Sequence, residues 1–81
     1  MKQITFFHMP GCEPCSDQKK ELKKLGSEFN IKKVDVEKNE NLAEEFKIEA
    51  TPTLVIEGDE KVAKVTGFKT AKEIKNISER L

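Results

Sequence analysis

From Lys2 to Phe7 the chain alternates so that Ile4 and Phe6 fall on one face of an extended segment, Thr5 and Phe7 on the other. Apolar groups on both faces predict a central strand covered by a layer on each side. Met9-Pro10-Gly11 then breaks the pattern. From about Glu13 to Glu28 the period becomes helical, with Cys15, Leu22, Leu25 and Phe29 on one stripe. Pro14 suits the first turn of that helix, where its missing N–H is not needed. A second strand is predicted over Ile31 to Val36, with Val34 and Val36 on one face. Asn39 or Asn41 can cap a short helix carrying Leu42, Ala43 and Phe46. Thr53 to Glu57 and Lys61 to Val65 read as strands joined at Gly58-Asp59, a hairpin signal, and Gly67 ends the second. Thr70 and Glu73 form a capping-box pair for a last helix with Ile74, Ile77 and Leu81 as its stripe.

The predicted order is β-α-β-α-β-β-α. A strand–helix–strand start implies a right-handed parallel crossover, and the closing hairpin adds antiparallel strands to the same sheet. The expected architecture is α/β, a four-stranded mixed sheet flanked by helices on both faces, with residues 1–81 as a single domain. A chain of 81 residues buries a modest core, roughly 60% of its unfolded surface.

Charge narrows the partners. Fifteen basic residues against fifteen acidic ones leave a formal net charge of +0, so nothing favours nucleic acid or an anionic membrane. All the bases except Arg80 are Lys, which suits a solvated surface better than bidentate phosphate binding. No apolar stretch approaches the roughly 18 residues of a membrane span. The apolar patch near Met1 is too short for a signal peptide and lacks a small-residue cleavage site. A cytoplasmic monomer is therefore expected, and in that compartment a cysteine pair is catalytic or metal-binding more often than a structural staple.

The chemistry sits at Cys12-Glu13-Pro14-Cys15, where a strand feeds a helix. A thiolate is the nucleophile that attacks a disulfide, and the free N–H groups at a helix start stabilise it. The helical stripe puts Cys15 on the buried side and leaves Cys12 at the helix mouth. Cys12 is thus the expected attacking thiol, and Cys15 the one that reaches back to resolve a mixed disulfide. Two other readings compete: a metal module using Cys12, Cys15 and His8, short of the usual four ligands, and a structural disulfide whose small loop stabilises little.

Phe6-Phe7-His8-Met9-Pro10-Gly11-Cys12-Glu13-Pro14-Cys15, then Ala50-Thr51-Pro52-Thr53, then Val65-Thr66-Gly67, resemble the signatures of the thioredoxin superfamily in order and spacing. The resemblance covers nearly the whole chain. It implies a thioredoxin fold and a thiol–disulfide oxidoreductase with Cys12 and Cys15 as its redox-active disulfide. It also implies a cis proline at Pro52 beside the cysteines. Thr51 would then offer backbone groups to an extended substrate segment, a form of strand addition. Met9, Pro10, Gly67 and Phe68 are expected to complete a substrate-binding rim. Glu13, Pro14 and His8 are expected to tune the attacking thiol. No metal site and no bound cofactor are implied.

The departures shape the functional expectation. Thioredoxins carry Trp-Cys-Gly-Pro-Cys, and here Gly11 and Glu13 replace the Trp and the Gly. The buried acid of thioredoxins is replaced by Phe6, which leaves Lys33 as a surface charge. The N-terminal strand and helix of full thioredoxins have no counterpart, so the size looks like that of a glutaredoxin. Glutathione-binding glutaredoxins, however, have a Lys where this chain has Met9, and a Gly-Gly-x-Asp-Asp patch where it has Gly67-Phe68-Lys69-Thr70. The combination resembles small thioredoxin-like proteins met in archaea and anaerobic bacteria. Glu13 disfavours a neighbouring thiolate, which points to a reductase of protein disulfides and away from an oxidase or isomerase. The apolar rim points to a flavoprotein dithiol reductase as electron donor, and away from glutathione.

Overall fold

A computed structural model describes residues 2–81. Its elements run β1 (Lys2–His8), α1 (Glu13–Lys23), a 3₁₀ turn (Gly26–Glu28), β2 (Phe29–Asp35), α2 (Glu40–Glu45), β3 (Thr53–Glu57), β4 (Val62–Thr66) and α3 (Ala71–Glu79). The four strands form one sheet in the order β2-β1-β3-β4. β1 pairs parallel with β2, while β3 runs antiparallel to both β1 and β4. This is the expected mixed sheet.

The doubly apolar first strand has the expected cause. Ile4 and Phe6 pack on one face with Leu22, Leu25, Phe29, Leu54, Ile56 and Ile74. Phe7 packs on the other with Val34 and Val55, against Leu42 and Phe46 from the α2 region. Helices therefore cover both faces, with α1 and α3 on one and α2 on the other. Fully burying each Phe contributes about 1.5–3 kcal/mol, so β1 anchors both half-cores at once.

Several boundaries differ from the sequence expectation. The helix predicted to reach Glu28 stops at Lys23, because Gly26 takes a left-handed φ of 64° that a continuing helix excludes. The stripe nevertheless survives. Leu25 and Phe29 stay buried, but Phe29 reaches the core as the first residue of β2, two residues before the expected start at Ile31. The fourth strand runs Val62–Thr66 instead of Lys61–Val65, because the register pairs Glu57 with Val62. Asn39 stands at the start of α2, yet its side chain makes no capping bond; its amide donates to the Asp35 carbonyl at 3.0 Å, tying the loop back to β2. Leu81 lies beyond α3, although it still packs against the core.

The third helix begins as expected. The Thr70 hydroxyl accepts the Glu73 N–H at 3.2 Å, and the Glu73 carboxylate accepts the Thr70 N–H at 2.9 Å. α1 adds a second anchor there, as Glu21 Oε1 accepts the Ala71 N–H at 2.9 Å while Oε2 meets Lys24 at 2.7 Å. The backbone and hydroxyl donors of Thr70 hold the Glu73 carboxyl below its ordinary 4.5. Lys24, and then the Ala71 N–H, do the same for Glu21. A depressed folded-state pKa adds stability that is complete above the unfolded value and is lost as pH falls through the folded one.

Thr70→Ala is expected to cost about 1 kcal/mol, a melting-temperature fall of roughly 4–8 °C for a domain this small. Glu21→Gln and Glu73→Gln mimic the protonated carboxyls. Urea midpoints at neutral pH should place both variants below the wild type, and the gap should close as the pH falls below the ordinary carboxyl value. A gap unchanged in acid would show that these carboxylates are not the linked groups.

Candidate redox site

β1 ends at His8, and Met9-Pro10-Gly11 turns the chain into α1 so that Cys12 occupies the cap position with extended φ and ψ of −87° and 101°. The Cys12 N–H donates to the Met9 carbonyl at 3.3 Å, which fixes the turn. Cys12 and Cys15 are joined as a disulfide with their Cα atoms 5.3 Å apart. The Cys15 N–H lies 3.2 Å from both the carbonyl oxygen and the Sγ of Cys12. A backbone donor at a helix start is thus aimed at the Cys12 sulfur, where it favours negative charge. Exposure separates the two residues: Cys12 is half-buried, whereas Cys15 is only 6% exposed within the core.

Three loops surround the pair. Met9-Pro10-Gly11 leads in from β1, and Met9 is 36% exposed. Thr51-Pro52 leads into β3; their peptide bond is cis, Pro52 is fully buried, and Thr51 lines the same depression as Met9 and Cys12. Thr53 Oγ1 donates to the Ala50 carbonyl at 2.7 Å, closing this loop from below. Gly67-Phe68 leads out of β4. The Gly67 N–H donates to the Pro52 carbonyl at 2.8 Å, which ties the second loop to the third. Gly67 has a φ of 95°, a conformation that suits glycine. Phe68 is 40% exposed beside Glu13 and Pro14. The structure therefore brings the sequence-expected Met9, Pro10, Glu13, Pro14 and Thr51 around Cys12, with Gly67 tied to Pro52 next to Thr51 and Phe68 beside Glu13 and Pro14.

A cleft of about 280 Å³ opens beside the pair, lined by Phe6, His8, Ser16, Lys19 and Lys33 together with both cysteines and the Met9-Pro10-Gly11 turn. Phe6 fills the base of the site, its ring centroid 5.3 Å from that of His8. Lys33 is aligned with Phe6 across the β1–β2 pair and lines this cleft. Among the described residues no group of three or more His, Cys, Asp or Glu side chains could hold a metal ion. Nor is any helix long and apolar enough to cross a membrane.

One residue near the site escaped the sequence reading. Gln18 is completely buried on the α1 stripe between Cys15 and Leu22, and its amide pairs with the backbone of Lys69. Its signal was positional: three residues after Cys15 and four before Leu22, it shares their face, and a polar side chain there requires a partner.

The thioredoxin family model matches residues 2–80. Thioredoxin of Staphylococcus saprophyticus is 32% identical over 82 residues, spanning 95% of this chain and 79% of that protein. Thioredoxin 2 of Plasmodium falciparum is 33% identical over 57 residues, and that match spans 65% of this chain but only 36% of the longer relative. A solved malarial protein superposes with a TM-score of 0.90 at 25% identity, covering 99% of this chain and 96% of its own. The chain belongs to the thioredoxin family, and its Cys12–Cys15 pair forms a disulfide within a C-x-x-C motif at the start of α1.

Proposed function

We propose that this protein reduces disulfide bonds in other proteins, with Cys12 attacking and Cys15 resolving. The observation that carries the reading is the asymmetry of the pair: Cys12 is half-buried at the helix mouth, whereas Cys15 is 6% exposed on the stripe below it. In the reduced protein the Cys12 thiolate attacks one sulfur of a substrate disulfide and expels the other as a thiolate, leaving a mixed disulfide. Cys15, deprotonated, then attacks Cys12 Sγ, releases the second substrate thiol and closes the Cys12–Cys15 bond. Two electrons pass to the substrate, and a dithiol donor restores them.

Thr51 and Pro52, with Met9, Pro10, Gly67 and Phe68, form the surface that an extended substrate segment meets. Glu13, Pro14 and His8 flank the attacking sulfur and tune it. The donor in this reading is a flavoprotein dithiol reductase, which docks on the same exposed rim. Glutathione fits less well, because Met9 and the Gly67–Thr70 loop lack the cation and the paired acids that hold its charged ends. Residues 1–81 act as one redox domain, monomeric and cytoplasmic, since a working dithiol needs a compartment that keeps it reduced. The balanced charge gives it no reason to bind nucleic acid or membrane.

Trapping tests the division of labour. Cys15→Ser should accumulate mixed disulfides through Cys12, detected by mass spectrometry, while Cys12→Ser should form almost none. Equal trapping by the two variants would overturn the roles. Donor choice is tested by steady-state insulin reduction with NADPH. Turnover with a thioredoxin reductase should exceed that with glutathione and glutathione reductase by about one to two orders of magnitude, the effect of a missing charged contact. Efficient turnover with glutathione alone would overturn the choice of a flavoprotein donor.

A further inference from the structure

Gln18 makes a contact that the thiol chemistry does not use. It is 0% exposed and lies one helical turn beyond Cys15, on a stripe otherwise completed by Leu22 and Leu25. Its Nε2 donates to the Lys69 carbonyl at 2.9 Å, and its Oε1 accepts the Lys69 N–H at 2.8 Å. One side-chain amide thus satisfies both backbone groups of a residue 51 positions away. A leucine would fill the same stripe without desolvating an amide. What the amide adds is geometry, because two parallel bonds set both the distance and the orientation of Lys69 relative to α1.

That geometry reaches the site. Lys69 directly follows Phe68, whose exposed ring lines the surface beside Glu13 and Pro14. On its other side Phe68 follows Gly67, which is bonded to the Pro52 carbonyl at 2.8 Å. Phe68 is therefore held between two anchors, one at Pro52 and one on the helix that carries both cysteines. A contact residue fixed before binding loses less freedom when a partner docks.

We infer that Gln18 is a positioning residue for substrate recognition: by clamping Lys69 it holds Phe68 at the rim of the Cys12 site, where a protein substrate docks. The inference rests on the reading of the chain as a reductase of protein disulfides. A small disulfide reacts at the Cys12 sulfur without touching Phe68, so the clamp matters only for macromolecular substrates. Gln18→Met keeps the volume and removes both bonds.

The test compares a protein disulfide, insulin, with a small one, hydroxyethyl disulfide, for wild type, Gln18→Met, Phe68→Ala and the double variant. Gln18→Met should raise the KM for insulin by about five- to tenfold, the effect of having to order Phe68 at the moment of docking. Its kcat and its turnover of the small disulfide should stay within about twofold of wild type, and its reduction potential should be unchanged. Phe68→Ala should raise the insulin KM to a similar degree, and adding it to Gln18→Met should change little further, because the two act through one contact. An unchanged insulin KM in Gln18→Met would overturn the inference. So would additive effects, or parallel losses with both substrates, which would mark Gln18 as a support of the helix alone. Should Gln18→Met fail to fold, Phe68→Ala decides: an insulin KM equal to that of wild type removes the loop from docking and the clamp's role with it. A wild type that turns over the small disulfide but not insulin would overturn both the functional reading and this inference.

Discussion

Everything at the site depends on how α1 lies across the sheet. The buried face of the helix runs through Cys15, Gln18 and Leu22, and the chain continues it through Leu25 and Phe29 after the helix has ended. Because this stripe packs on Ile4 and Phe6 of β1, the helix start is held at the strand end, where Met9-Pro10-Gly11 delivers Cys12. A helix start offers N–H groups without intrahelical partners, and the one at Cys15 points at the Cys12 sulfur. Core packing thus fixes which cysteine is accessible and which is supported from below.

The three rim loops then form one connected surface. Pro52 accepts from Gly67, Lys69 pairs with Gln18, and Ala71 donates to Glu21. Two side chains of α1 therefore hold the start of α3 and the loop before it. Phe6 makes the base of the site apolar, while Lys19 and Lys33 line the cleft beside it. Charge at this site is carried by its edges.

The legible parts of the sequence were those governed by neighbours along the chain. The doubly apolar β1, the capping box at Thr70 and Glu73, the Gly67 stop and the Cys12–Cys15 spacing follow from period, turn chemistry and capping, and the structure contains each of them. The end of α1 was less legible. The apolar spacing runs unbroken to Phe29, and only Gly26 marks the point where helix gives way to a turn without breaking the buried stripe. Asn39 was similarly ambiguous, because its amide can cap a helix or return to the preceding strand, and the path of the chain after Asp35 selects the latter.

The residue types by themselves determined the order of the elements and the layering and narrowed the pair to redox, metal-binding or structural roles, because each depends on a side chain's own properties or on spacing within a few residues. Only the tertiary structure decided the partner of Gln18. Its amide has no match within α1, and the Lys69 backbone comes within reach only after β3 and β4 have crossed the sheet and returned the chain. The same folding path gathered Met9 and Thr51 beside Cys12 and set Phe68 against Glu13 and Pro14. Contacts between residues so far apart in sequence depend on where the strands pair, and local pattern carries no record of that distance.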